Sequence, residues 1–127
     1  MSPPRLVHHE LCFGCGRTNL FGLLMELEPM SPGRVRGRGF VKQDHQGADP
    51  GAAHEGILLT ALSEAMGFAC GPEMRVVRVE LELQAPVPVG AFVDVEAQAG
   101  IDGLTATSTA WVEDRTVATG RGVYSRV

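Results

Sequence analysis

Apolar and polar residues alternate with a period of two along much of the chain, which is typical of half-buried β-strands. The alternation is clearest in "RVVRVELEL" (75–83) and "AFVDVEAQA" (91–99). The predicted strands cover residues 22–28, 34–41, 75–83, 91–99, 104–113 and 116–126. The last four are joined by short segments rich in Pro, Gly and Asp, which favours antiparallel pairing.

A helical period interrupts the strands between His54 and Gly71. Its apolar residues recur at intervals of three and four positions and form one face of a helix. They are Leu58, Ala61, Leu62, Ala65, Met66 and Ala69. One helix must cover the apolar face of a six-strand sheet, so we expect an α+β fold with an antiparallel sheet wrapped around one central helix. The length favours a single domain over residues 1–127.

Composition narrows the functional classes. The net charge is −4 and the arginines are scattered singly, so the overall balance gives no case for nucleic-acid binding. The start of the chain lacks the apolar core of a signal peptide, and no apolar run reaches the length that spans a bilayer. With only three cysteines, the chain suits a reducing compartment, so we expect a cytoplasmic protein.

Two of the cysteines, Cys12 and Cys15, form a CxxC pair, and His8 and His9 lie just upstream. Zinc usually takes four protein ligands in a structural site, so a histidine, both cysteines and a further group are a conceivable set. No second cysteine pair follows, and Cys70 lies far along the chain. We therefore expect reduced cysteines in a tight turn, with no bound metal and no cofactor.

Three motifs follow one another along the chain, "CFGCGRTNLFGL" (12–23), "HEG" (54–56) and "VELELQAPVPVG" (79–90). In this order they resemble the motifs of the hotdog-fold thioesterases. The first, "CFGCGRTNLFGL" (12–23), is similar to the N-terminal Cys-Phe-x-Cys-Gly motif of one subgroup. "HEG" (54–56) resembles the His-Gly-Gly start of the family's helix, and "VELELQAPVPVG" (79–90) the strand and Pro-x-Pro-x-Gly turn that follow it. The resemblance implies an acyl-CoA or aroyl-CoA substrate and a site at the interface of a homodimer or a tetramer of dimers.

The resemblance also implies roles at the start of the helix. Gly56 matches the glycine whose backbone N–H holds the thioester carbonyl. The first N–H groups of a helix are unpaired and lie at its positive end, so they suit a developing oxyanion. His54 is either a group that orients substrate or water, or a hydrogen-bonding residue that fixes the entry into the helix.

Two loop segments complete the candidate contacts. The resemblance implies that the loop "DHQG" (44–47) approaches the thioester. His45 is therefore a candidate for positioning water, and Gln46 and Gly47 are candidate substrate contacts. Asn19, in the first motif, is a further candidate contact, although shaping the turn is its more ordinary role.

The family's catalytic carboxylate lies nine residues after the histidine, and that position here is Ser63, followed by Glu64. Three interpretations follow. Glu64 acts as the base with Ser63 holding water, or His45 or His54 activates Ser63 or the water, or the site only binds. We expect the first, since partial burial of Glu64 would raise its pKa. A non-catalytic acyl-CoA-binding protein and an acyl-thioester hydratase or dehydratase remain the alternative functions.

Arginines at every second position, Arg34, Arg36 and Arg38, line one face of the second predicted strand. They could meet the phosphates of coenzyme A. A solvated strand face is the more ordinary interpretation, and we expect it here.

Overall fold

The computed structural model describes residues 4–126, which contain one α-helix, a short 3-10 helix at Gln43–His45 and six strands. The helix α1 spans Glu55–Cys70. The strands are β1 Glu26–Ser31, β2 Arg34–Phe40, β3 Met74–Leu83, β4 Phe92–Ala99, β5 Thr105–Val112 and β6 Arg115–Arg126. They form one sheet in the order β1-β2-β4-β5-β6-β3, with every neighbouring pair antiparallel. The predicted antiparallel α+β arrangement is therefore confirmed.

The core lies between α1 and one face of the sheet. Leu62 and Met66, in the middle of the predicted apolar stripe, are completely buried. They pack with inward-facing sheet residues such as Val93 and Val95, each 1% exposed. The alternating residues of β4 therefore lie on opposite faces of the sheet, as a period of two predicts, and the apolar face packs against the helix. Between residues 4 and 126, no helix is long and apolar enough to cross a membrane.

The first strand differs from its prediction. It begins at Glu26 rather than at residue 22 and continues past Pro29 to Ser31. The stretch before it is held by the N-terminal loop instead, since the Leu23 and Met25 N–H groups donate to the carbonyls of Phe13 and Gly14. Pro29 is tolerated because β1 is an edge strand, where a missing N–H costs no ladder bond.

The arginine face of β2 is paired with acids on its neighbours. Arg34 contacts Glu96 at 2.9 Å, Arg36 contacts Glu28 at 2.6 Å and Arg38 contacts Asp94 at 2.8 Å. Exposed pairs of this kind stabilise a fold only weakly. The prediction of a solvated strand face is confirmed, and these three cations are already neutralised by carboxylates.

The edge strand β3 pairs only with β6 among the described residues. Its other edge carries free backbone groups along ten residues, and Val76 and Val77 on it are 47% and 66% exposed. A long apolar strand edge is a ready template for pairing with another chain. This edge borders a groove that runs beside α1.

Candidate active site

A groove of about 400 Å³ lies between α1, the edge strand β3 and the N-terminal loop. Polar groups line its wall along α1 and on the last strand. They are Thr60, Ser63, Glu64 and Tyr124, with His8 from the N-terminal loop. Glu64 is the one acidic residue among the lining residues that the structure describes. The predicted pair Ser63 and Glu64 therefore does share one concave site.

Ser63 is hydrogen-bonded to Tyr124, a residue that the sequence analysis did not identify as a candidate. The Ser63 Oγ lies 3.2 Å from the Tyr124 hydroxyl, which also donates to the Ser63 carbonyl at 3.0 Å. Burial raises the pKa of Tyr124 to about 12, because the phenolate would lose its hydration. Tyr124 is therefore a neutral hydrogen-bonding partner at ordinary pH and cannot take a proton from Ser63.

Glu64 points across the groove to the N-terminal loop. The Cys12 thiol donates to its Oε1 at 3.3 Å, and the His8 Nδ1 lies 3.2 Å from its Oε2. Although that distance qualifies as an ion pair, its angles do not make a hydrogen bond, and Oε2 is buried without one among the described residues. Such an orphaned carboxylate oxygen is costly unless a proton, water or cation reaches it.

His8 joins Glu64 to both cysteines of the CxxC pair. Its Nδ1 lies 3.6 Å from the Cys12 Sγ and 3.5 Å from the Cys15 Sγ. The close contacts of its ring with Cys15 and with the Glu64 carboxylate raise the pKa of His8 to about 10, against the opposing effect of burial. Taken with Glu64, these side chains bring four potential metal-ligand atoms within 4.8 Å of one another. The expectation of no bound metal depended on the lack of a further ligand beside the cysteine pair. In the structure Glu64 occupies the position of that ligand.

Glycine at position 14 lets this cluster form. A Cβ placed on Gly14 would lie 2.2 Å from the Glu64 Cγ and 2.5 Å from its Oε1. A side chain at position 14 would push the N-terminal loop away from α1 or displace Glu64. The "CFGCG" pattern is thus explained by the close approach of the loop to Glu64.

The start of α1 is capped by the histidine of the "HEG" motif. The Gly56 N–H donates to the Nδ1 of His54 at 2.8 Å, which is a helix N-cap bond. His54 thus makes the entry hydrogen bond that was one of its two predicted roles. The N–H of Gly56, the expected oxyanion donor, is therefore occupied by the His54 ring, whose side chain is 53% exposed and whose Nε2 lies 3.6 Å from the Glu55 carboxylate.

His45 is buried and held at both ring nitrogens. It is 3% exposed, its Nδ1 accepts from the Lys42 N–H at 3.0 Å, and its Nε2 donates to the Phe21 carbonyl at 2.9 Å. The donor at Nδ1 fixes the tautomer with the proton on Nε2. In this arrangement neither nitrogen is free to activate a water.

The other predicted contacts stabilise loops. The Gln46 side chain donates to the Gln43 carbonyl at 2.8 Å and accepts from the Gly51 N–H at 2.6 Å. Gly47 packs against the backbone of His54, where a Cβ would lie 2.7 Å from its Cα. The Asn19 side chain donates to the Leu11 carbonyl at 3.0 Å and accepts from the Phe21 N–H at 3.2 Å. Asn19 therefore shapes its turn, as its ordinary role predicts.

The predicted site residues thus fall into separate groups. Ser63 and Glu64 lie in the groove, whereas Gly56 is seven residues earlier on the same helix, a rise of about 10 Å at 1.5 Å per residue. Sequence reasoning missed His8 and Tyr124 as groove residues. The histidine next to the CxxC pair was a usable signal for His8, while nothing local marked Tyr124.

No protein-family model matches the sequence, and no curated protein sequence matches it. Solved structures do match the fold. The PaaI protein of the E. coli phenylacetic acid degradation operon is 19% identical, with a TM-score of 0.71 over 83% of this chain and 80% of that one. The thioesterase superfamily protein RHA08564 is 18% identical, with a TM-score of 0.79 over 98% and 67%.

A further structural neighbour is smu.793 from Streptococcus mutans, solved bound to acetyl CoA. It is 14% identical, with a TM-score of 0.72 over 81% of this chain and 88% of that one. At these identities the likeness establishes the fold alone. The chain has the hotdog fold, an antiparallel sheet with one central helix packed against it.

Proposed function

We propose that this protein is an acyl-CoA thioester hydrolase whose site forms at the interface of two copies, in the subgroup with the N-terminal Cys-Phe-x-Cys-Gly motif. The observation that carries the proposal is the groove along α1, which places Ser63 and Glu64 beside the unpaired edge of β3. A structural neighbour bound to acetyl CoA supports a coenzyme A thioester as the ligand.

The spacing along α1 supports an interface site. One carbonyl cannot reach both the Gly56 N–H and Ser63 of the same helix, because seven residues separate them by about 10 Å. Pairing of β3 with the β3 of a second copy would bring another helix start to the groove. In this proposal, Gly56 of the partner subunit holds the carbonyl while Ser63 and Glu64 face the thioester carbon. In a closed two-fold dimer, the free β3 edge of each copy would pair with that of the other.

The proposed reaction is attack by water on the thioester carbonyl. Glu64 takes a proton from the water, and the hydroxyl of Ser63, held by Tyr124, orients it. The new C–O bond forms, the negative charge passes to the carbonyl oxygen at the Gly56 N–H, and the C–S bond then breaks. As the carbonyl forms again, the departing thiolate takes the proton from Glu64, which leaves a carboxylic acid, free coenzyme A and the Glu64 carboxylate. Gly56 must first exchange the His54 ring for the carbonyl.

A non-catalytic acyl-CoA-binding protein is the second candidate. It is favoured by one observation, that the Glu64 carboxylate is already engaged by Cys12 and His8. Carboxylate oxygens that already face these side chains are less available to a water molecule at the thioester carbon. In that case the groove would bind the thioester without breaking it.

The experiment is an assay of free thiol released from a series of acyl-CoA and aroyl-CoA thioesters. We expect turnover by the natural chain, and a loss of at least about tenfold in rate, or roughly 1.4 kcal/mol of barrier, in Glu64→Gln. Glu73→Gln is the matched control, since Glu73 is an exposed acid just beyond the end of the same helix and outside the groove. We expect its rate to stay close to that of the natural chain.

Ser63→Asp separates the two candidates. It places a carboxylate at the position expected from the family resemblance, and we expect it to keep or raise the rate of thiol release. Thiol release by Ser63→Asp but not by the natural chain would favour the binding protein. An active enzyme that is indifferent to Glu64→Gln would remove Glu64 from the mechanism.

A further inference from the structure

We propose that His8, Cys12, Cys15 and Glu64 form a binding site for a divalent transition-metal ion of the zinc type. The site joins the N-terminal loop to the middle of α1. This proposal depends only on the geometry of the four side chains and stands independently of the proposed hydrolysis.

Four contacts within the cluster lie close to the separations of a tetrahedral site. Ligands at 2.0–2.3 Å from zinc, in tetrahedral directions, lie about 3.3–3.8 Å from one another. The His8 Nδ1 lies 3.6 Å from the Cys12 Sγ, 3.5 Å from the Cys15 Sγ and 3.2 Å from the Glu64 Oε2. The Cys12 Sγ lies 3.3 Å from the Glu64 Oε1. All four ligand atoms lie within 4.8 Å of one another, so an ion at the centre would draw the more distant side chains closer.

The donor set indicates which metal. Two thiolates with an imidazole and a carboxylate in tetrahedral array suit zinc, whereas magnesium and calcium prefer oxygen ligands alone. Zinc would displace the thiol protons of Cys12 and Cys15 and the ring proton at His8 Nδ1. The buried Oε2 of Glu64, which has no hydrogen bond among the described residues, would then gain a partner.

The surroundings of the four side chains support a built site. Cys15 is completely buried, and its Sγ accepts a hydrogen bond from the His8 backbone N–H at 3.2 Å. Such a bond stabilises a thiolate and orients a metal ligand. The His8 ring stacks on Phe68 at 4.1 Å, which fixes its plane. The side chains of His8 and Glu64 are 20% and 15% exposed, so an ion can enter from solvent.

A metal at this cluster would fix the position of one wall of the groove. His8, Phe13 and Gly14 form the wall of the groove opposite β3, and the loop that carries them is tied to α1 through this cluster. A metal would hold that wall in place and fix the orientation of Glu64. The cluster thus links the otherwise irregular N-terminal motif to the shape of the candidate site.

The test uses the full-length reduced protein after removal of metal with a chelator. Cobalt(II) is then added as a spectroscopic substitute for zinc, and binding is followed by its thiolate charge-transfer and tetrahedral visible bands. We expect about one cobalt per chain, displaced by zinc. Cys15→Ser is expected to weaken binding at least about tenfold. Its matched control, Cys70→Ser, removes the third cysteine, which lies outside the cluster, and is expected to bind as the natural chain does.

A second matched pair keeps the test informative if Cys15→Ser does not fold. His8→Ala is expected to lose the tetrahedral cobalt spectrum, whereas His9→Ala, at the neighbouring exposed histidine, is expected to keep it. Glu64→Gln is expected to weaken binding and alter the visible bands. Octahedral cobalt bands, equal losses in Cys15→Ser and Cys70→Ser, or a Glu64→Gln variant identical to the natural chain would each overturn the four-ligand site. Since no thioester is involved, a failure here leaves the proposed hydrolysis untouched.

Discussion

The Cys12 sulfur lies 3.3 Å from a Glu64 carboxylate oxygen, although the two residues are 52 positions apart. The contact joins a loop motif to the middle of the central helix. It makes Glu64 part of two proposed sites, as the base of the hydrolysis and as a ligand of the metal. The predictions below separate these roles.

Metal binding should stabilise the fold. An ion at about 100 times its Kd adds roughly 2.7 kcal/mol to the free energy of unfolding, which for a chain of this size raises Tm by about 10 °C. Differential scanning calorimetry with zinc and with a chelator measures the shift. Cys70→Ser should show it in full and Cys15→Ser should not. An equal shift in both variants would contradict the proposed ligands.

Zinc should inhibit thioester hydrolysis if both proposals hold. A zinc-bound carboxylate has lost much of its basicity, so we expect saturating zinc to lower kcat at least about tenfold, the loss expected from Glu64→Gln. The control is Cys15→Ser, which should need at least about tenfold more zinc for the same loss of rate. A rise in turnover on adding zinc would mean that Glu64 is not the base.

Tyr124 should make the fold sensitive to alkali. Burial raises its pKa from 10.0 to about 12, so the unfolded chain loses the phenolic proton first. The stability that Tyr124 contributes is therefore complete below pH 10 and is lost as the pH rises toward 12. The loss is on the order of 2 kcal/mol.

The chain contains one tyrosine, so the rise in near-ultraviolet absorbance on phenolate formation reports Tyr124 alone, because the single tryptophan does not ionise. Denaturant unfolding at increasing pH measures the loss of stability. Tyr124→Phe removes the contribution of the phenol to the pH dependence of stability. The difference between the stability curves of the natural chain and of this variant separates that contribution from the ionisation of the cysteine thiols. Ionisation of the folded protein near pH 10 would show that Tyr124 is not desolvated.

His54 should matter to stability more than to acid–base chemistry. Loss of the N-cap bond in His54→Ala is expected to cost about 0.5–2 kcal/mol of folding free energy. His54→Asn restores a capping acceptor and should recover most of it. Removal of the ring also frees the Gly56 N–H, so kcat/KM should not fall. A loss of about a hundredfold or more in kcat in both variants would assign His54 to proton transfer instead.

The chain should assemble through the free edge of β3. A charge at Val77, which is 66% exposed on that strand, should oppose pairing with a second copy. We expect light scattering to give at least a dimer for the natural chain and a smaller species for Val77→Asp. Ile101→Asp, in the exposed β4–β5 turn, is the control. A natural chain that scatters as a monomer at micromolar concentration would remove the interface from the proposal.

The sequence alone was enough for the framework of the fold. Strands β3 to β6 and the helix lie within about two residues of their predicted positions, since periods of two and 3.6 report directly which residues face a core. The beginning of β1 escaped this reasoning. Residues 22–25 are as apolar as a strand, but their partners are carbonyls of a loop, which no local pattern records.

Only the tertiary structure decided where the chemistry lies. The helical positions of Ser63 and Glu64 put them on the two shoulders of the apolar stripe, so periodicity cannot say which meets a ligand. The folded chain turns Ser63 to Tyr124 and Glu64 to His8 and the cysteine pair. Those partners come from the distant ends of the chain, and their encounter depends on how the sheet and loop close around the helix. A sequence pattern encodes the burial of each segment, whereas the site is made by contacts between segments.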